Sequence, residues 1–83
     1  MSGAQGQASS AAFDADLREG GRVGRFVVVR DLDGRVHAVA AGSVAAACET
    51  DEGTLLMLPG GRMVHVPRPM ATVLAWLDGK GPT

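Results

Sequence analysis

The 83-residue sequence has a single cysteine, Cys48. That excludes an intrachain disulfide and a multi-cysteine zinc site, and it fits a reducing compartment. Long apolar runs are also missing. The richest stretch, residues 36–48, is interrupted by His37, Gly42 and Ser43, and nothing approaches the roughly 20 apolar residues of a helical membrane span. The opening MSGAQGQASSAAFDADLREGG has no basic region followed by an apolar run, so it does not read as a signal peptide. These absences lead to the expectation of a soluble, cytoplasmic protein. A basic excess is lacking too. The formal net charge is −1, and from Arg22 onward seven basic residues face six acidic ones. Nucleic-acid binders draw most of their affinity from neutralised phosphates, so this balance makes such a function the alternative rather than the first reading.

The length supports one domain. Residues 1–21 are expected to form a flexible segment, because the Gly/Ala/Ser/Gln composition of the first eleven buries too little apolar surface to offset its ordering entropy. A short helix over 12–19 is an option within it, with Ser10 as cap and Phe13 and Leu17 on one face. The folding unit is then 22–79, followed by a tail over 80–83. A unit near sixty residues buries only about 60% of its unfolded surface. Stabilisation by a partner or by self-association is therefore an expectation.

Within the unit, RFVVVR over 25–30 reads as a strand. Leu32-Asp33-Gly34 is a hairpin signal, with Gly34 supplying positive φ, and RVHAVA over 35–40 is the returning strand. Val36 and Val39 fall on opposite faces of it. Residues 40–49, AAGSVAAACE, stay open between a strand from about 44 to 49 and a helical turn at Gly42-Ser43. TLLML over 54–58 is a strand that Pro59 ends. Gly60-Gly61 turns the chain, and 62–66 returns with Val64 and Val66 on one face and Met63 and His65 on the other. Pro69 suits the first turn of a helix over 69–78. Met70, Val73, Leu74 and Leu77 give that helix an apolar stripe, and Gly79 is placed to cap its end. The expected fold is α+β: one small, mainly antiparallel sheet of four or five strands with a C-terminal helix packed on it.

This order of elements resembles the short flagellar FlbD-type proteins and their small phage-like relatives. The residues that carry the likeness are Leu32-Asp33-Gly34, Val44, Thr54-Leu55-Leu56, Gly61-Arg62, Val64-x-Val66 and the helix over 73–77. They cover about two thirds of the chain. The resemblance implies a small bacterial accessory protein without enzymatic activity. A second likeness is to the β-core of LytTR-type DNA-binding domains, a family whose DNA-contacting segments continue past the helix. The alternative function is a small nucleic-acid-binding regulatory module using a rim of Arg35, Arg62 and Arg68, each of which flanks a turn or strand end.

Few residues offer chemistry. His37, His65 and Cys48 share no local ligand spacing, so no metal is expected and the histidines read as half-exposed sheet residues. Cys48 lies in an alanine run beside Glu49, which disfavours its thiolate. It reads as a small buried core residue. Gly60-Gly61 forms neither GxGxxG nor a P-loop, and positive φ in a turn explains both glycines. No catalytic residue and no cofactor is assigned. Arg35, Arg62, His65 and Arg68 are candidates for contact with an anion or an acidic partner, the last beside a helix N-terminus. Trp76 is a candidate interface anchor, with Met57 and Met63 extending its patch. The expected function is that of a non-catalytic interaction protein, acting through protein–protein contacts or as a homo-oligomer, with no membrane and no identifiable small-molecule substrate.

Overall fold

A computed structural model describes residues 17–79. Most of the expected flexible segment, most of the helix option over 12–19, and the tail over 80–83 lie outside the described residues. Six strands and one helix follow in order: β1 (Arg22–Val23), β2 (Phe26–Arg30), β3 (Val36–Ala40), β4 (Ala46–Thr50), β5 (Gly53–Leu58), β6 (Arg62–Val66) and α1 (Met70–Asp78). The class is α+β, as expected, but the strands form two antiparallel three-stranded sheets, β1-β2-β3 and β4-β5-β6. Two corrections lie here. The strand number is six rather than four or five, and the sheet is split in two.

The additional strand is β1. Two residues carry no readable period, and β1 exists because β2 holds it, with Arg22 opposite Val27 and Val23 opposite Phe26. The pairing runs further back. Gly20 N–H donates to Val28 O at 2.7 Å, and Val28 N–H donates to Gly21 O at 2.9 Å. Gly20 and Gly21, expected in the flexible segment, are thus bonded to the folded unit.

The split between the sheets falls at residues 41–45. Ala41–Ser43 form one 3-10 turn, and β4 starts only at Ala46. Both readings of the alanine-rich stretch are therefore partly realised: a helical turn at Gly42-Ser43 and a strand two residues later than expected. A single core unites the two sheets. Val27, Val29 and Val39 of the first sheet meet Leu56, Val64 and Val66 of the second, and Val73 and Trp76 of α1 close the cluster. In β5 and β6 the alternation is strict. Thr54, Leu56, Val64 and Val66 are buried, and the residues between them point to the other face. Thr54 is the one buried polar residue of the described chain, and its hydroxyl donates to Arg68 O at 2.9 Å. It leaves no unsatisfied group behind.

α1 begins after Pro69, which is the N-cap in extended geometry rather than a residue of the first turn. Its buried side is also rotated from the expected stripe. Val73 and Trp76 are buried, while Leu74 is 46% exposed. Residues 73, 76 and 77 are themselves an i, i+3, i+4 set, and the indole has more apolar area to remove from water than Leu74. Its ring lies against Gly20, where a Cβ would sit 2.5 Å from Cε2. At the other end Gly79 takes φ 77° and its N–H donates to Trp76 O at 3.2 Å. Arg22 completes the cap. Its Nη2 donates to Trp76 O and to Leu77 O, both at 3.0 Å. A cation on the last carbonyls of a helix also meets the negative end of its dipole.

Candidate functional site

Three surfaces hold most of the residues that sequence reasoning singled out. The first is the face of β4-β5-β6 turned away from the core. The register aligns Ala46 with Met57 and Cys48 with Leu55, and Met57 with Met63 and Leu55 with His65. Two cross-strand rows result: Ala46–Met57–Met63 and Cys48–Leu55–His65. Met57 is 39% exposed and Met63 59%. No carboxylate, lysine or arginine stands in either row. Cys48, expected in the core, is exposed here, because Ala47, opposite Leu56, takes the inward position. A strand alternates with period two, so fixing one residue's face fixes its neighbours'. His65 is half-buried at the end of its row, and its Nε2 is 2.7 Å from Thr50 Oγ1. The Thr50 hydroxyl also accepts from Glu52 N–H at 3.2 Å, so the imidazole is held within this face.

The second surface is a recess of about 300 Å³ between the β4–β5 turn and the start of α1, lined by Glu49, Asp51, Glu52 and Arg68 among others. Arg68 is clamped to Glu19. Its Nε donates to Glu19 Oε2 at 2.9 Å and its Nη2 to Glu19 Oε1 at 2.7 Å. This bidentate bond holds the Glu19 carboxyl below its ordinary range and raises Arg68. The charge sequence reasoning set aside for an external anion is thus matched within the chain, and three carboxylates line the same recess.

The third is a groove of about 510 Å³ beside β3, lined by β3 itself, Leu58, Pro59, Arg62 and Val64. Arg62 stands at this groove and not at the recess. Arg35 lies in the loop joining β2 to β3, where its backbone N–H donates to Asp31 Oδ1 at 2.9 Å. Of the expected rim of Arg35, Arg62 and Arg68, Arg62 and Arg68 therefore stand at different surfaces. Trp76 is 9% exposed and belongs to the core cluster, on the other side of β4-β5-β6 from the methionines. Trp76 and the methionine pair do not share a patch.

Sequence reasoning missed Asp31 altogether. Its Oδ1 accepts from Asp33 N–H at 2.8 Å and from Arg35 N–H, and its Oδ2 lies 2.7 Å from His37 Nε2. The His37 bond, and after it the Arg35 N–H, hold its carboxyl below the ordinary range. An Asp opening a loop with Gly three residues later was the available signal. The loop is built around this carboxylate rather than as a two-residue turn. Among the described residues no group of three or more His, Cys, Asp or Glu side chains is placed to hold a metal ion. No described helix is long and apolar enough to cross a membrane. No family model, curated protein or solved structure matches the chain.

Proposed function

We propose that this chain is a small non-catalytic accessory protein that acts by protein–protein contact, with the outer face of β4-β5-β6 as its docking surface. The observation that carries the proposal is the pair Met57–Met63, side by side in register and exposed, in a face with no formal charge. Uncharged apolar faces are uncommon on surfaces that meet water alone. Methionine suits a docking role because its flexible thioether adapts to the partner's shape. Burying one such side chain is worth about 1.5–3 kcal/mol. The resemblance to FlbD-type and phage-like proteins supplies the setting, a bacterial flagellar or phage assembly. The alternative, a nucleic-acid-binding module, would rest on Arg35, Arg62 and Arg68, and Arg68 is committed to Glu19.

A photo-crosslinking side chain placed at Met57 or at Met63, in cells, tests the reading, with the same group at Leu74 as control. One defined protein captured from both methionine positions and not from Leu74, and lost when Met63→Lys is added to the Met57 probe, is the expected result. Equal labelling from all three positions would overturn it. So would binding of a duplex or single-stranded oligonucleotide with a steep salt dependence.

A further inference from the structure

The two sheets present four edge strands: β1, β3, β4 and β6. A sheet edge offers unpaired backbone groups to any second strand, and proteins blunt such edges with charge, proline or brevity. Three of the four are blunted. β1 has two residues, β4 contains Glu49, and β6 begins with Arg62 and ends against Pro67. β3 has five residues, Val36–Ala40, with neither proline nor a formal charge apart from the titratable His37. Beside it runs the 510 Å³ groove, whose other wall is Leu58, Pro59, Arg62 and Val64.

The direction of each β3 backbone group follows from the hydrogen bonds that flank it. Asp31 N–H donates to Arg35 O at 2.9 Å, and Ala41 N–H donates to Arg25 O at 3.1 Å. Residues 35 and 41 therefore point their backbone groups toward β2, and so, by alternation, do His37 and Val39. β2 agrees from its own side, because Val28 turns its N–H and C=O the other way, to Gly21 and Gly20. Val36 and Ala38 are left with N–H and C=O directed outward, and so is the N–H of Ala40, whose C=O opens the 3-10 turn over Ala41–Ser43.

We infer that a second copy of this chain pairs here, β3 against β3, antiparallel, about a two-fold axis through Ala38. Three outward-facing residues spaced by two are symmetric about the middle one. Ala38 exchanges both bonds with its counterpart, and Val36 and Ala40 exchange theirs with the counterpart's Ala40 and Val36. Four backbone hydrogen bonds between unengaged groups close the seam, and each Ala40 C=O, already accepting within its 3-10 turn, has a second lone pair for the counterpart's Val36 N–H. The side chains agree with the axis. Alanine faces alanine at the centre, Val36 faces alanine at either end, and on the core side His37 faces valine, its Nε2 held by Asp31. No like charges oppose. The product is one six-stranded sheet built from β1-β2-β3 and its copy, with Phe26, opposite Ala40, brought close to the partner's Val36. Both are exposed in the single chain. A seam one strand long is a small interface, so the dimer is concentration-dependent rather than permanent. The edge is separate from the Met57–Met63 face, and neither proposal requires the other.

Sedimentation velocity of the full chain, from micromolar to millimolar concentration, tests this. The wild-type chain shifts from monomer to dimer. Ala38→Lys and Ala38→Glu, each placing like charges across the axis, stay monomeric at every concentration with unchanged circular dichroism. An equal mixture of those two variants recovers the dimer, because Lys then faces Glu. Met63→Lys leaves dimerisation as it was. Should the charged variants lose their fold, Ala38→Cys in a Cys48→Ala background decides. Paired residues at the axis are about 5.5 Å apart between Cα atoms, within disulfide reach, and mild oxidation crosslinks the chain to itself. A wild-type chain that stays monomeric throughout overturns the inference. So does a dimer indifferent to Ala38→Lys, a dimer abolished by Met63→Lys, or an Ala38→Cys variant that does not crosslink.

Discussion

Replacing Gly53 by alanine is expected to be the most damaging single-methyl change in the described chain. Gly53 opens β5 at φ 141°, a region that is essentially glycine's own and costs other residues about 1–3 kcal/mol. A Cβ there would lie 2.2 Å from Val66 O, 2.9 Å from Arg68 N and 2.9 Å from Pro67 Cα. All three are backbone atoms, so no side-chain rotation relieves the overlap. The segment that must retreat carries the Arg68 N–H bond to Val66 O, at 2.8 Å, and the carbonyl that satisfies buried Thr54. Leaving a buried hydroxyl unpaired costs about 1–3 kcal/mol more. Gly53→Ala should therefore lose about 2–6 kcal/mol. Small domains sit near the low end of the usual range of about 5–15 kcal/mol. Gly60 is the internal control: its φ is 80°, but a Cβ there would meet nothing within 4 Å. Gly60→Ala bears only the left-handed penalty of about 1–2 kcal/mol. Urea unfolding followed by the fluorescence of Trp76, the single tryptophan, measures both. If Gly53→Ala costs no more than Gly60→Ala, the close approach of residues 66–68 is not a real constraint and the reasoning fails.

Arg22→Met keeps the aliphatic stem and removes the helix cap. It should cost about 0.5–1 kcal/mol, and amide exchange should accelerate at the end of α1 rather than in the strands. Trp76→Ala should cost about 3–5 kcal/mol, against less than about 0.5 kcal/mol for Leu74→Ala on the open side of the same helix; thermal melts separate the two. Acid should weaken the Glu19–Arg68 clamp. The folded-state Glu19 carboxyl lies below its ordinary value of 4.5, so its contribution is present above that value and fades as pH falls through the lower folded one. The stability gap between wild type and Arg68→Gln should be constant near neutrality and close below about pH 4, as read from urea midpoints at each pH.

The second hairpin was readable because its signals are local. Pro59-Gly60-Gly61 stops one strand and turns the chain, and both glycines take positive φ. The bounds Arg62–Val66 and the burial of Val64 and Val66 follow from period two alone. What could not be read depends on residues far apart in sequence. β1 is a strand only because β2 is beside it. Trp76 displaces Leu74 from the core because Gly20 leaves room for a ring, a fact absent from residues 70–78. Cys48 faces outward because Ala47 takes the inward position against Leu56, and small residues carry no pattern of their own from which that register could be read. The arginines show the same limit at the candidate site. Each is a plain cation in the sequence, yet Arg22 caps a helix and Arg68 binds Glu19, and nothing local distinguishes them from Arg62.

Those two arginine contacts have a bearing on the order of assembly. Each hairpin closes between near neighbours, whereas Arg68 reaches Glu19 across 49 positions and Arg22 reaches the end of α1 across 54 and 55. Contacts of such span form late and slowly. A state with both hairpins closed and α1 not yet docked has a core without its lid, since Val73 and Trp76 complete the cluster. Such a state exposes Val27, Leu56 and Val66, and exposed apolar surface of that kind is what makes partly folded chains prone to aggregate.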